Sequence, residues 1–108
     1  MGALKYDDGK TRLDLLPPEA LEEIGKALTF GAEKHTKDGV SGDENWRKGL
    51  HWSRLYASLQ RHLNSWKRNE ELDPESGLLH LAHAGACVMM LLASQVVGLG
   101  KDDRWKKL

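Results

Sequence analysis

Asp73-Pro74-Glu75-Ser76-Gly77-Leu78-Leu79-His80-Leu81-Ala82-His83-Ala84 is the stretch on which the fold turns. Asp73 is a helix-capping residue type, Pro74 suits the first helical position, and Glu75 sits where the helix dipole favours negative charge. The spacing therefore predicts a helix starting at Asp73. The continuation from Ala84 to Val97 is almost wholly apolar, as expected of a buried helix. His80 and His83 are three residues apart and share a face of that helix. Two imidazoles at the mouth of a buried helix suggest a site. The alternative is that both only bond a carboxylate or a carbonyl in a small core.

Working outward, the residues from Pro18 to about His35 place Ala20, Leu21, Ile24, Ala27, Leu28, Gly31 and Ala32 at helical spacing. Glu19, Glu22, Lys26 and Glu33 line the opposite face, so the segment reads as an amphipathic helix. Another helix is expected from about Trp52 to Arg68, with Trp52, Leu55, Tyr56, Leu59, Leu63 and Trp66 on one stripe. Gly98 and Gly100 end the third helix. Residues 1–17 read as an irregular arm closed by Pro17-Pro18, with Leu13, Leu15 and Leu16 expected to pin it to the body. Thr36 to Gly49 carries turn chemistry and is longer than a simple helix connection needs, which is common in functional loops. Residues 99–108 read as a charged tail with one apolar handle, Trp105. No strand pattern and no internal repeat is evident. The expectation is a single all-α domain over 1–108, a small bundle of three main helices. It should be oligomeric, because the third helix is apolar over more of its circumference than two neighbours can cover.

Lysine plus arginine and aspartate plus glutamate both total 16 in 108 residues, for a formal net charge of zero. No broad basic face advertises a nucleic-acid polymer or an anionic membrane, so neither is expected as a partner. Ser94, Gln95, Gly85 and Gly98 interrupt the longest apolar run, which reads as a core helix rather than a membrane span. Cys87 is the only cysteine, and no charged-then-apolar signal segment opens the chain. A reducing cytoplasm is the expected compartment.

Several constellations could carry chemistry. Glu19, Glu22 and Glu23 crowd the start of the first helix, and carboxylates at i and i+3 project together as a hard cation requires. They could equally answer the helix dipole and sit in water. His80 and His83 with Cys87 a turn on could hold zinc, although no fourth ligand is evident and Cys87 reads more simply as a small core residue. Arg61, His62 and Trp66 lie within about a turn and could grip a phosphate and stack a base; Trp66 also continues the apolar stripe, whereas Arg61 falls off it. In the loop, Asn45 and Trp46 stand among charged residues, which fits base recognition or a tryptophan that fixes the loop to the bundle. Lys10 and Arg12 could reach phosphate, but Gly9-Lys10 lacks the glycine spacing and the following Ser or Thr of a P-loop.

Taken together, Lys5-Tyr6-Asp7-Asp8-Gly9-Lys10, the run Arg12 to Leu21, Thr29-Phe30-Gly31-Ala32-Glu33-Lys34, Asn45-Trp46, Trp52-Ser53-Arg54, Arg61-His62-Leu63 and Asp73 to Ala84 resemble, in order and spacing, the phage dATP/dGTP diphosphohydrolase N-terminal domain family. The resemblance covers about residues 5 to 95. That family is similar to the MazG-like all-α nucleoside triphosphate pyrophosphohydrolases. The resemblance implies a hydrolase acting on a purine nucleotide, converting dATP or dGTP to the monophosphate and pyrophosphate. Its cofactor would be magnesium (Mg2+), with manganese (Mn2+) as the substitute, and it would work as a homo-oligomer in the cytoplasm of the infected host.

Within this reading Glu19, Glu22, His80 and His83 are the candidate catalytic residues, and Lys10, Arg12, Asn45, Trp46, Arg61 and His62, singled out above, are the candidate substrate contacts. Glu19, Glu22, Glu23 and Asp73 are the implied metal ligands. One departure stands out. MazG-type enzymes pair a Glu-x-x-Glu with a Glu-x-x-Asp; here Glu19-x-x-Glu22 matches the first, and His80-x-x-His83 stands in the place of the second. Histidine is a poor magnesium ligand. Either the glutamates hold the cation with help from Asp73 or Glu75 while the histidines bind phosphate or move protons, or the chain is a non-catalytic nucleotide-binding oligomer that sequesters a host nucleotide signal. A pure scaffold bundle is the third reading, and inward-facing His80 and His83 argue against it.

Overall fold

The structure, a computed structural model, describes residues 2–106. Three helices make up the body: α1 (Pro18–Lys34), α2 (Trp52–Lys67) and α3 (His80–Val97). Short 3-10 turns at Leu13–Leu15 and Asn45–Lys48 punctuate the arm and the long loop, and the described residues contain isolated β-bridges but no strand. The all-α expectation holds. α1 begins at Pro18, whose fixed φ and missing N–H suit the first turn. α3 ends at Gly98 in the left-handed conformation (φ 76°), where the Leu99 N–H donates to Ser94 O at 2.9 Å and closes the last turn.

The start of α3 departs from the sequence expectation. Asp73 does cap, but it caps a turn: its Oδ2 accepts the Ser76 N–H (2.9 Å) and its carbonyl accepts the Gly77 N–H (2.7 Å). Gly77 then takes φ 73°, which breaks the helical path, and the Asp73 N–H donates back to Leu78 O (2.7 Å). An aspartate followed by a flexible glycine satisfies its own backbone more readily than it starts a helix. The helix proper begins at His80, so both histidines lie in its first turn and a half.

The arm leucines were expected to pin the arm to the body and do not, since Leu13, Leu15 and Leu16 are all exposed. Nor is Trp105 the handle of the tail, being 86% exposed. The tail instead docks through its backbone and Asp103 onto the N-terminus of α2. The Trp52 N–H donates to Lys101 O and the Trp52 indole N–H to Leu99 O, both at 2.9 Å, while the Ser53 N–H donates to Asp103 Oδ1 at 2.9 Å. The tail thus supplies the caps that the loop before α2 lacks.

α3 packs against both other helices, while α1 and α2 make little direct contact. The core is thin and made of small residues: Ala27, Ala82 and Ala86, with Ile24, Leu28, Leu78 and Met90 around them. Small side chains let the helices approach, and Ile24 of α1 packs directly on Gly85, where an added Cβ would lie 2.7 Å from Ile24 Cδ1 and Cγ1. By length and composition α3 could cross a membrane; 33% of it is buried inside the chain. The accessible surface is 8780 Å², against about 6,000 Å² for a compact monomer of this mass.

Candidate functional site

Because α1 and α2 both pack on α3 and make little contact with each other, a cavity of about 960 Å³ opens between them. α2 turns a polar stripe to it, Arg54, Ser58, Arg61, His62 and Ser65, at helical spacing opposite its apolar stripe. α3 contributes His80 and His83, and the long loop brings Asn45, Trp46 and Arg47 to the rim. That loop is held by Gly42, whose N–H donates to Thr36 Oγ1 at 2.9 Å beside the end of α1. Arg47 lies over the Trp46 ring, 4.5 Å from its centroid.

At one end of the cavity three imidazoles and three acidic or hydroxyl partners form a single network. His80, 3% exposed, places its Nδ1 2.9 Å from His62 Nδ1 and its Nε2 2.9 Å from Glu70 Oε1. His62 stacks on His83, with centroids 4.8 Å apart and planes 10° from parallel. His83 Nε2 shares a 2.7 Å hydrogen bond with Ser76 Oγ and lies 3.8 Å from Asp73 Oδ2; Phe30 meets its ring edge-on. Every buried polar side-chain atom among the described residues has a partner.

Burial pushes the His62 and His83 pKa values below the usual imidazole value, and the neighbouring imidazoles push the same way, against the pull of Asp73. These two rings are therefore biased to the neutral form near pH 7. Burial would raise Asp73, but the Ser76 N–H and hydroxyl hold its carboxyl below the ordinary range. Burial pushes the Cys87 thiol up, which keeps it protonated and suits a core cysteine rather than a thiolate ligand.

Of the residues expected from sequence, Asn45, Trp46, Arg61, His62, Asp73, His80 and His83 come together around this cavity. Glu19, Glu22 and Glu23 do not line it; the first two are exposed and Glu23 pairs with Lys26 at 2.8 Å. Lys10 and Arg12 lie instead on a shallow depression of the arm beside Asp7 and Asp8, with Arg12 paired to Asp14 at 2.7 Å. Trp66 does not line the cavity either. Arg54, Glu70 and Ser76 belong to the cavity and its histidine network and were not assigned from sequence. Arg54 carried a usable signal, two helical turns before Arg61 on the same face.

Magnesium takes an all-oxygen, near-octahedral shell. The groups whose donor atoms converge here are His62, Asp73 and His80, within 4.8 Å of one another, and they offer two nitrogens and one oxygen. Glu75 is engaged by Lys34 at 2.8 Å and Glu70 by His80. The donor set at this end does not fit magnesium.

Fold and site together define a small all-α domain organised around one polar, histidine-ended cavity. Its residues 2–104 match the family model described as dATP/dGTP diphosphohydrolase, N-terminal, and the chain belongs to that family. It is similar to a dATP/dGTP diphosphohydrolase of Salmonella phage PMBT28, 34% identical over 91 residues, which cover 84% of this chain and 29% of the relative. The chain thus spans under a third of that protein's length. No solved structure matches it significantly.

Proposed function

We propose that the chain binds dATP or dGTP in the interhelical cavity and hydrolyses it between the α and β phosphates, releasing the monophosphate and pyrophosphate. The observation that carries this reading is one cavity with room for a nucleotide, with Arg54, Arg61 and a histidine cluster on its polar wall and Asn45 and Trp46 at its rim, in a chain of this family. Arg54 and Arg61 neutralise the triphosphate, and Asn45 with Trp46 meets the base. A water oxygen attacks the α phosphorus, the bond to the bridging oxygen breaks, and pyrophosphate leaves. A neutral imidazole, His83 in this assignment, accepts the proton that the water gives up.

Glu19, Glu22 and Glu23, outside the cavity of their own chain, are proposed to take part from a neighbouring copy, where their carboxylates supply the oxygens a hard divalent cation takes. Lys10 and Arg12 are proposed to reach phosphate in the same way, through the arm. The reading places the protein in the host cytoplasm as a homo-oligomer.

Incubation of the purified chain with each deoxynucleoside triphosphate and magnesium or manganese, followed by anion-exchange separation, tests it. Monophosphate with pyrophosphate from a purine substrate is the expected result, and diphosphate with inorganic phosphate would overturn it. Unchanged nucleotide that raises the melting temperature would favour a second reading, a nucleotide-sequestering oligomer, for which the absence of the three glutamates from the cavity lining speaks.

A further inference from the structure

We propose that His62, Asp73 and His80 form a site for a first-row transition-metal dication of the zinc type, distinct in ligand chemistry from a magnesium site. The three donor atoms already lie within 4.8 Å of one another in the folded chain. A carboxylate only accepts hydrogen bonds, so the contact of Glu70 Oε1 with His80 Nε2 places the ring hydrogen on Nε2 and leaves the Nδ1 lone pair facing His62 Nδ1, 2.9 Å away. This carboxylate–histidine pair is the arrangement that orients metal-ligating imidazoles.

The two Nδ1 atoms now share one hydrogen. A dication in its place would bond both nitrogens at roughly 2.0–2.1 Å, and tetrahedral geometry then separates them by about 3.4 Å, so this pair need open by only about 0.5 Å, while the Asp73 oxygen, within 4.8 Å of them, closes toward the same separation. The three groups are oriented for that adjustment: His80 is buried in the first turn of α3, His62 is stacked on His83, and the Asp73 carboxylate is oriented by the Ser76 N–H. Two imidazoles and one carboxylate are donors that zinc, cobalt and nickel accept and magnesium does not favour. Three protein ligands leave a fourth position open to the cavity, and the site stands on these atoms whether or not a nucleotide is hydrolysed.

The test uses the full chain stripped with chelator. Zinc should bind at one ion per chain with a dissociation constant of micromolar or tighter by calorimetry. Cobalt should give the visible absorption of a four- or five-coordinate ion that zinc displaces. Magnesium at millimolar concentration should neither displace cobalt nor shift the melting temperature. His62→Ala should weaken zinc at least a hundredfold with helical circular dichroism intact, and this half-exposed position keeps the test valid if buried His80→Ala does not fold. Glu70→Gln should weaken zinc about 10- to 100-fold without changing the stoichiometry. No zinc binding by the folded wild-type chain, undiminished binding by folded His62→Ala, or displacement of cobalt by magnesium would overturn the assignment. Nucleotide affinity measured in millimolar magnesium without zinc separates this result from the nucleotide reading.

Discussion

Gly42 shows how one atom can hold a functional loop in place. A Cβ at this buried position would lie 2.2 Å from Ala32 O and 2.6 Å from the His35 carbonyl carbon, both backbone atoms that cannot rotate away. Gly42→Ala is therefore expected to cost about 1–3 kcal/mol, read as a lower melting temperature, and to withdraw Asn45 and Trp46 from the cavity rim. Arg61 behaves differently, since it is exposed and holds up no packing. Arg61→Gln should leave the melting temperature unchanged while weakening nucleotide binding about 10- to 100-fold, the worth of a charge-assisted hydrogen bond; unchanged affinity would remove Arg61 from the site. Arg61 was legible because a cation off an apolar stripe asks for a partner. Glu70 and Ser76 were not, because their role depends on how the turn before α3 folds to set them beside His80 and His83, a contact no helical spacing encodes. His62 sat between these cases, assigned to phosphate from its neighbour Arg61 and found against His80.

At the level of elements, α1 and α2 were readable almost to the residue because each has one apolar stripe with a sharp beginning, Pro18 or Trp52. The start of α3 was not, because Asp73 serves a turn as well as it serves a cap, and the choice falls to Gly77. The docked tail was equally hidden, since Asp103 reaches α2 from fifty residues further along the chain. Its carboxyl is held below the ordinary range chiefly by the Ser53 hydroxyl and then by the Ser53 N–H. A carboxyl depressed in the folded state stabilises the fold above its unfolded pKa of about 3.9, and that contribution is lost as the pH falls through the folded value. Asp103→Asn should therefore lower the melting temperature at pH 7 and flatten its fall between about pH 5 and 3, leaving the share of Asp14, Asp73 and Asp102, the last lowered to about 2 by Arg104. Parallel melting curves across that range in both proteins would check it. The α1–α3 contact offers a second measurement: Gly85→Val must displace Ile24, and should destabilise by about 1–3 kcal/mol in chemical denaturation.

For the whole molecule, the apolar circumference of α3 is the feature the composition already carried, and the structure gives it a location. Leu81, Val88, Leu92 and Val96 recur at i, i+7, i+11 and i+15 and are all between 46% and 74% exposed. With the bare leucines of the arm they form an apolar part of the surface by which 8780 Å² exceeds the roughly 6,000 Å² of a compact monomer. An apolar strip of this length, left in water, favours self-association, and burying about 800 Å² per chain suffices for a specific dimer. A closed, symmetric oligomer with α3 at its centre is the expected state, since facing copies of one strip are self-complementary. Leu92→Glu places an unpaired charge in the middle of that strip while keeping a good helix former on α3. It should shift the chain to monomer in sedimentation velocity at micromolar concentration without loss of helical signal. If the wild-type chain itself sediments as a monomer at that concentration, the strip has no partner of its own kind, and the proposed contribution of Glu19 and Glu22 from a second copy falls with it.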